Sequence, residues 1–263
     1  MAKYQFKGKR AIITGASSGI GAGIAREFGR LEVSIVLTAR REDRLEQVAG
    51  EVRGGGGTVI IVPGDVSRKE DVERVVDSTL KELGGVDIMV NCAGVGGPAY
   101  FEDMSEDRIR QHMEVHYFAA TRYCRLVVPV MKEQGEGYIV NMASVSALLG
   151  FPRWVSYGAS KAALLRFSDS LRHELKPFGI KISVLCPSLV DTPLVRDHWD
   201  DYGAWAGKFK ILEVVDAVRS LIKGMKKGRF VILDAWDVKL MYALYRYFPE
   251  TFVSLFTWLY KIR

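Results

Sequence analysis

Cysteine is scarce. Only Cys92, Cys124 and Cys186 occur in 263 residues, and none has CxxC spacing. Neither a disulfide framework nor a thiolate zinc site is expected, and a reducing, cytoplasmic location is the expectation. Long apolar runs are missing as well. None reaches the roughly 18 residues that a bilayer-spanning helix needs. The opening MAKYQFKGKR has no apolar signal core, so secretion is not expected. There is no run of five basic residues and no aromatic RNA-reading motif. The net charge of +6 therefore does not point to nucleic acid. Internal repeats and interdomain linkers are also absent.

What is present is ordinary for a globular chain: 48% apolar and 26% charged residues. The length suits one α/β domain. Apolar runs recur at Arg10–Thr14, Val33–Leu37, Thr58–Val62, Val86–Asn91, Tyr138–Met142, Ile180–Leu185 and Arg229–Leu233. Most are continuous rather than alternating, as strands buried on both faces of a parallel sheet must be. Helical stretches lie between them. Ile20, Ile24 and Phe28 share one face, as do Leu164, Ser168, Leu171 and Leu175, and again Val214, Val218, Leu221 and Met225. Strand and helix in alternation predict a doubly wound parallel sheet. Gly54–Gly57 reads as a flexible turn. Residues 191–210 form a long polar and aromatic connection with Trp199, Tyr202 and Trp205, and a loop of that kind is expected to be a lid.

The first strand runs into Gly15-Ala16-Ser17-Ser18-Gly19-Ile20-Gly21, with a helix following. Gly15 permits the tight turn. Gly19 and Gly21 let backbone approach a pyrophosphate, with Ser17, Ser18 and Ile20 filling out the turn. The helix start adds free N–H groups and positive potential. After the second strand an NAD-binding chain tends to carry an acid for the ribose 2′-hydroxyl. This chain has Arg40 and Arg41 there, with Arg44 a turn on. Guanidinium groups suit a 2′-phosphate, so NADP(H) is the predicted cofactor. Asp65, with Val66, is placed to meet the adenine. Asn91, Ala93 and Gly94 put small residues where a dinucleotide needs room.

Tyr157 and Lys161 are four residues apart at a helix start and so share a face. An ammonium beside a phenol is expected to lower the phenol pKa, making Tyr157 a general acid for a carbonyl or a base for an alcohol. Ser144, 13 residues upstream, is positioned to hold the same oxygen. His112 and His116 are also four apart, but no third ligand stands near them and no metal site is predicted.

TGASSGIG, the Asp65 turn, NCAG, Ser144, YGASK, and Pro187 with Thr192 together resemble the short-chain dehydrogenase/reductase family from end to end. The resemblance implies a single-domain Rossmann sheet of seven strands and a Ser–Tyr–Lys site with hydride transfer at nicotinamide. It implies that Lys161 also binds the nicotinamide ribose, and that Pro187 and Val190 to Thr192 border the carboxamide. His116 stands where the family usually has an asparagine that holds a water in the proton relay. Imidazole can donate, accept and titrate near neutrality, so it either replaces the asparagine in the relay or weakens it. Ser188 stands where glycine is common.

LTARRED, VNCAGVGG, FEDM and the turn at Asp191–Pro193 are similar to 3-ketodihydrosphingosine reductases and to microsomal hydroxysteroid dehydrogenases. A hydrophobic, lipid-like ketone is the expected substrate, with a 3-ketosphingoid, steroid or 3-oxoacyl compound as the options. A dinucleotide-binding sensor that has lost turnover is the competing class. Residues 1–240 are read as the catalytic domain and 241–263 as an amphipathic tail. In the tail, Phe252, Leu255, Phe256, Leu259 and Ile262 make a stripe flanked by Arg246, Lys261 and Arg263. That stripe suits either a subunit contact or a membrane surface. A homo-oligomer, dimer or tetramer, is expected.

Overall fold

The computed structural model describes residues 4–199 and 210–260. Seven strands form one parallel sheet in the order β3-β2-β1-β4-β5-β6-β7. They are β1 Arg10–Thr14, β2 Ser34–Thr38, β3 Val59–Ile61, β4 Ile88–Asn91, β5 Gly137–Met142, β6 Ile180–Cys186 and β7 Val231–Leu233. Side chains alternate across the sheet. Ala11 and Ile13 of β1, Ile35 and Leu37 of β2, and Tyr138 and Val140 of β5 enter one core. Ile12, Val36 and Ile139 enter the other. Most strand residues are therefore apolar on both faces, which is why the runs are nearly continuous in sequence.

Helices α1 Gly19–Arg30, α2 Glu42–Gly54 and the helix at Val214–Lys226 cover the first face, through Phe28, Leu45, Val218 and Leu221. Helices α3 Lys69–Leu83, α5 Ala119–Gln134 and α6 Val155–Leu175 cover the second, through Val75, Tyr123, Val127 and Leu175. Helix α4 Glu106–Met113 runs into α5 through a π-turn at Glu114–Phe118. After β6 come a short α7 Pro193–Arg196, then α8 (Val214–Lys226), α9 Trp236–Tyr247 and α10 Pro249–Tyr260.

From β1 the sheet grows outward to β2 and β3, and the chain then returns to place β4 on the other side of β1. Connections leave β1 and β4 toward opposite faces, so a crevice opens at their C-terminal ends. A Cβ on Gly15 would lie 2.7 Å from Ala93 Cα, so the two strand ends approach there as only glycine permits. The expected lid is described only as far as Trp199 and from Lys210 onward. Tyr202 and Trp205 lie outside the described residues.

Candidate active site

The crevice is a cleft of about 890 Å³, open mouth included. It is lined by Gly15, Ser17, Ser18, Gly19, Ile20, Arg40, Arg41, Cys92, Gly94, Lys161 and Thr192, among others. Gly19 has φ +53, which favours glycine, and its hydrogen side faces Thr192. Ser18 stands at the N-cap of α1 without capping it by its side chain, which leaves first-turn N–H groups for an anion. The Arg41 guanidinium lies 3.3 Å from both Ser17 Oγ and Ser18 Oγ. A cradle closed to any Cβ, free helix N–H groups and two arginines at one end fit a phosphorylated dinucleotide.

Most of the remaining residues of the expected cofactor site make contacts within the fold. Arg44 is turned to Gln47 and Asp43, away from the cleft. The Asn91 side chain is buried in the sheet, donating to Asn141 Oδ1 at 2.8 Å, and Cys92 and Gly94 line the cleft instead. Ala93 closes the turn from behind, its N–H donating to Thr14 Oγ1. Asp65 Oδ1 is engaged by the Ser67 N–H and hydroxyl at 2.9 and 2.7 Å. Val66 and Val190 are buried beneath the surface. The Pro187 carbonyl accepts from Val145 N–H at 3.0 Å, fixing the loop that carries Ser144. The Ser188 N–H donates to Asp234.

Ser144 leaves the end of β5, and its Oγ accepts from Ser146 N–H at 3.1 Å. The Tyr157 phenol lines the same pocket as Ser144. A Cβ on Gly158 would lie 3.1 Å from the Ser146 carbonyl oxygen, so glycine lets the first turn of α6 press against this loop. Lys161 is buried and donates to the Met142 carbonyl at 2.8 Å, with Nζ 5.6 Å from the Tyr157 ring centroid. Burial pulls the Lys161 ammonium down to about 8. The expected lowering of the phenol is not what the structure gives. Burial pushes Tyr157 up to about 12, and the nearby Ser144 hydroxyl opposes this only in part. The ammonium spends its hydrogen bond on a backbone carbonyl rather than on the phenolic oxygen.

His116 is buried in the π-turn with both nitrogens engaged. Nε2 accepts from Val95 N–H at 3.1 Å, so Nδ1 carries the proton and donates to Ser160 Oγ at 2.8 Å. The Ser160 hydroxyl in turn donates to the Tyr157 carbonyl at 2.7 Å. Burial and the nearby Lys161 charge hold His116 well below its usual pKa. The expected titration near neutrality is therefore corrected: the ring stays neutral and acts as a strap. His112 repeats the pattern one turn earlier, with Nδ1 2.7 Å from Ser156 Oγ. The two imidazoles lie parallel, 5.7 Å apart, and both meet the Tyr157 ring nearly at right angles. Trp154 closes on that ring from 4.9 Å. Among the described residues no cluster of three metal-ligating side chains occurs.

Beyond Tyr157 lies a pocket of about 630 Å³ lined by Val145, Leu149, Phe151, Trp154, Leu189 and Val195, with Val238 and Met241 from α9. Its polar side chains are Ser144, Ser146, Tyr157 and Ser188. Sequence reasoning missed His112 as a partner of α6. It also missed Val238 as a pocket wall, although an apolar residue on a tail helix that must cover something was the available signal.

A doubly wound parallel sheet with a glycine-rich anion cradle at its switch point and a buried Ser–Tyr–Lys group beside it defines a dinucleotide-binding oxidoreductase. The family model described as short chain dehydrogenase matches residues 9–203, and the chain belongs to that family. It is 36% identical over 246 residues to the 11-beta-hydroxysteroid dehydrogenase-like 3 protein of Arabidopsis thaliana, covering 92% of this chain and 78% of that one. A short chain dehydrogenase/reductase from Burkholderia phymatum, solved in complex with NAD, superposes with a TM-score of 0.86 at 28% identity. That match covers 94% of this chain and 96% of the other. L-Sorbose reductase from Gluconobacter frateurii, solved with NADPH and L-sorbose, gives 0.77 at 30% identity, covering 86% and 95%.

Proposed function

We propose that the protein reduces a hydrophobic ketone to a secondary alcohol with NADPH. The observation that carries this is the position of Tyr157, which stands between a cationic dinucleotide-sized cleft and an apolar pocket. Bound in the cleft, the dinucleotide supplies a hydride. Arg40 and Arg41 select its 2′-phosphate form by charge-assisted hydrogen bonds. Ser144 holds the substrate carbonyl oxygen, and Tyr157 gives that oxygen its proton. Lys161 would hold the ribose hydroxyls, and its charge, 5.6 Å from the Tyr157 ring centroid, would favour the remaining phenolate through space rather than by a hydrogen bond. The pocket walls favour a lipid-like ketone such as a 3-ketosphingoid, because they offer contact area and few hydrogen bonds. A steroid ketone is the second reading, favoured by the name of the Arabidopsis relative. Loss of reduced-nicotinamide absorbance with a panel of long-chain and steroid ketones, using NADPH and NADH in parallel, tests both. No oxidation with any ketone would leave a dinucleotide-binding sensor as the function.

We assign the tail to a membrane surface. Trp236, Leu240, Leu244 and Tyr247 lie at helical spacing along one side of α9, with Phe248 just past its end, and all are exposed. The opposite side carries Val238 and Met241 into the pocket. An outward apolar stripe with Lys239 and Arg246 on the same helix suits an anionic lipid interface, with a second copy of the chain as the other outcome. Among the described residues no helix is long and apolar enough to cross a membrane. Leu255 of the expected tail stripe is also exposed, and Phe252 is half-buried. The side chains of Phe256 and Leu259, and all of Lys261, Ile262 and Arg263, lie outside the described residues. A dimer or tetramer is the assembly we expect, which light scattering measures.

A further inference from the structure

A second cavity of about 1210 Å³, open mouth included, adjoins the active-site pocket at Ser146, Leu149, Phe151 and Trp154, which line both. One wall is the segment 147–155, with Leu148, Pro152 and Val155. The other is α9 and α10, with Tyr245, Phe252 and Val253. The rings of Tyr245 and Phe252 meet at 5.7 Å and hold the two helices together at the groove. Among the described residues, none that lines the groove is charged. The Thr257 hydroxyl is satisfied within its own helix, donating to the Val253 carbonyl at 2.8 Å.

We propose that this groove binds the aliphatic chain of the substrate, whose carbonyl sits at Tyr157. The inference rests on the ketone-reductase reading and narrows it to ketones carrying a linear hydrocarbon chain. Adjacency argues for the occupant, because a molecule held at Tyr157 and too long for the first pocket meets this groove at the residues that line both. The lining chemistry argues for the same class. A groove whose described lining carries no charge gives little to a carboxylate, whereas methylene groups gain by leaving water.

The test is a series of 2-alkanones of rising chain length, with a steroid ketone as the rigid comparison. For the wild-type protein kcat/KM rises roughly two- to fourfold per added methylene until the groove is filled. In Val253→Arg, a half-exposed position that tolerates the change, the ratio of long-chain to short-chain kcat/KM falls at least about tenfold, the effect of losing two buried methylenes. Leu148→Arg gives the same result from the opposite wall. A flat chain-length profile in wild-type protein that does turn over short ketones overturns the groove and leaves the reductase reading intact. A rising profile that neither variant changes also overturns it. Binding of a dansyl-labelled long-chain alcohol is measured in parallel, so that protein inactive on every ketone still gives an answer. Saturable binding weakened by both substitutions supports the groove, and its absence in the wild-type protein overturns it.

Discussion

The Nδ1 atom of His116 lies 2.8 Å from the hydroxyl of Ser160, the residue that precedes Lys161. Because Nε2 accepts from Val95 N–H, the ring has a fixed tautomer and no nitrogen left to pass a proton. Asparagine can donate and accept in the same two directions, whereas leucine can do neither. His116→Asn is therefore expected to keep kcat within about threefold. His116→Leu should lose roughly ten- to a hundredfold, since a buried N–H and hydroxyl lose their partner at about 1–3 kcal/mol each. If the imidazole acts only through Ser160, adding Ser160→Ala to His116→Leu costs little more. Independent, additive losses in that double-mutant cycle would show a separate role for the ring.

The same burial gives a stability prediction in acid. His112 is held at about 4 against its usual 6.5, and His116 is also lowered, in both cases chiefly by burial. Between those values the unfolded chain binds more protons than the folded one, so stability falls as pH drops from about 6.5 toward 4. Urea denaturation across that range should show the fall, and His116→Asn should reduce its slope. An unchanged slope would mean that the imidazoles titrate normally.

Much of this was legible from one sequence because the parallel sheet writes itself as continuous apolar runs. All seven strands fall within one or two residues of where those runs place them, β1 at Arg10–Thr14 without any shift. The turn at Gly15 to Gly21 and the Tyr157–Lys161 pair were legible because each depends on local spacing along one element. The straps were not. His112 and Ser156 are 44 residues apart, and only the packing of α4 on α6 brings them together. The partner of Asn91 was hidden for a similar reason: its neighbours line the cleft, while its own side chain reaches Asn141, 50 residues on. The pKa of Tyr157 was misjudged because four-residue spacing sets a shared face but not where the ammonium puts its hydrogen bond.

Lys161 is a cation inside the protein, and that must cost stability. Its folded-state pKa of about 8 lies below the usual 10.5 because of burial. Below pH 8 the cost is present in full. It is relieved between about 8 and 10.5, where the unfolded chain binds the extra proton, so stability rises with pH there. Lys161→Met should therefore be inactive yet more stable at neutral pH, with the advantage shrinking above pH 8. Each kcal/mol relieved raises Tm by about 2–4 °C in a domain of this size, less what the Met142 carbonyl loses with its donor. A variant less stable than wild type at pH 7 would contradict this.

Replacing Tyr157 by phenylalanine removes the transferable proton and little else, because Trp154 and the two imidazoles contact the ring rather than the hydroxyl. Turnover should fall by about 10²- to 10⁴-fold, while NADPH affinity measured by fluorescence stays within about twofold. Turnover equal to wild type would remove Tyr157 from the chemistry.

Of the three arginines after β2, Arg41 is the one held against the serines of the glycine turn. Arg41→Ala should weaken NADPH by roughly 1.5–3 kcal/mol and leave NADH nearly unchanged, because only the former carries the 2′-phosphate. Arg40→Ala should act in the same sense, since Arg40 also lines the cleft. Arg44→Ala should do little, its guanidinium being turned to Asp43 and Gln47. Isothermal titration with both cofactors distinguishes the three. Equal affinity of the unaltered protein for NADPH and NADH would remove the basis for an NADP preference.

The outward face of α9 gives the last prediction. Trp236 and Tyr247 are about three-quarters exposed, with Leu240 and Leu244 between them on the same side. Leaving such a stripe in water is unfavourable, and a headgroup-level interface accepts tryptophan and tyrosine well. Truncating the tail is a poor test, because it would also remove Met241 from the pocket wall. Changing only the outward side is cleaner. Trp236→Glu with Leu244→Glu should abolish co-sedimentation with phosphatidylcholine–phosphatidylserine vesicles. Binding by the wild-type protein should also weaken as salt is raised, because Lys239 and Arg246 contribute electrostatically. Light scattering on the same pair of proteins separates the two occupants. Vesicle binding lost with assembly unchanged places this face on lipid. A wild-type oligomer that dissociates in the variant, without vesicle binding in either protein, places it against a second copy of the chain.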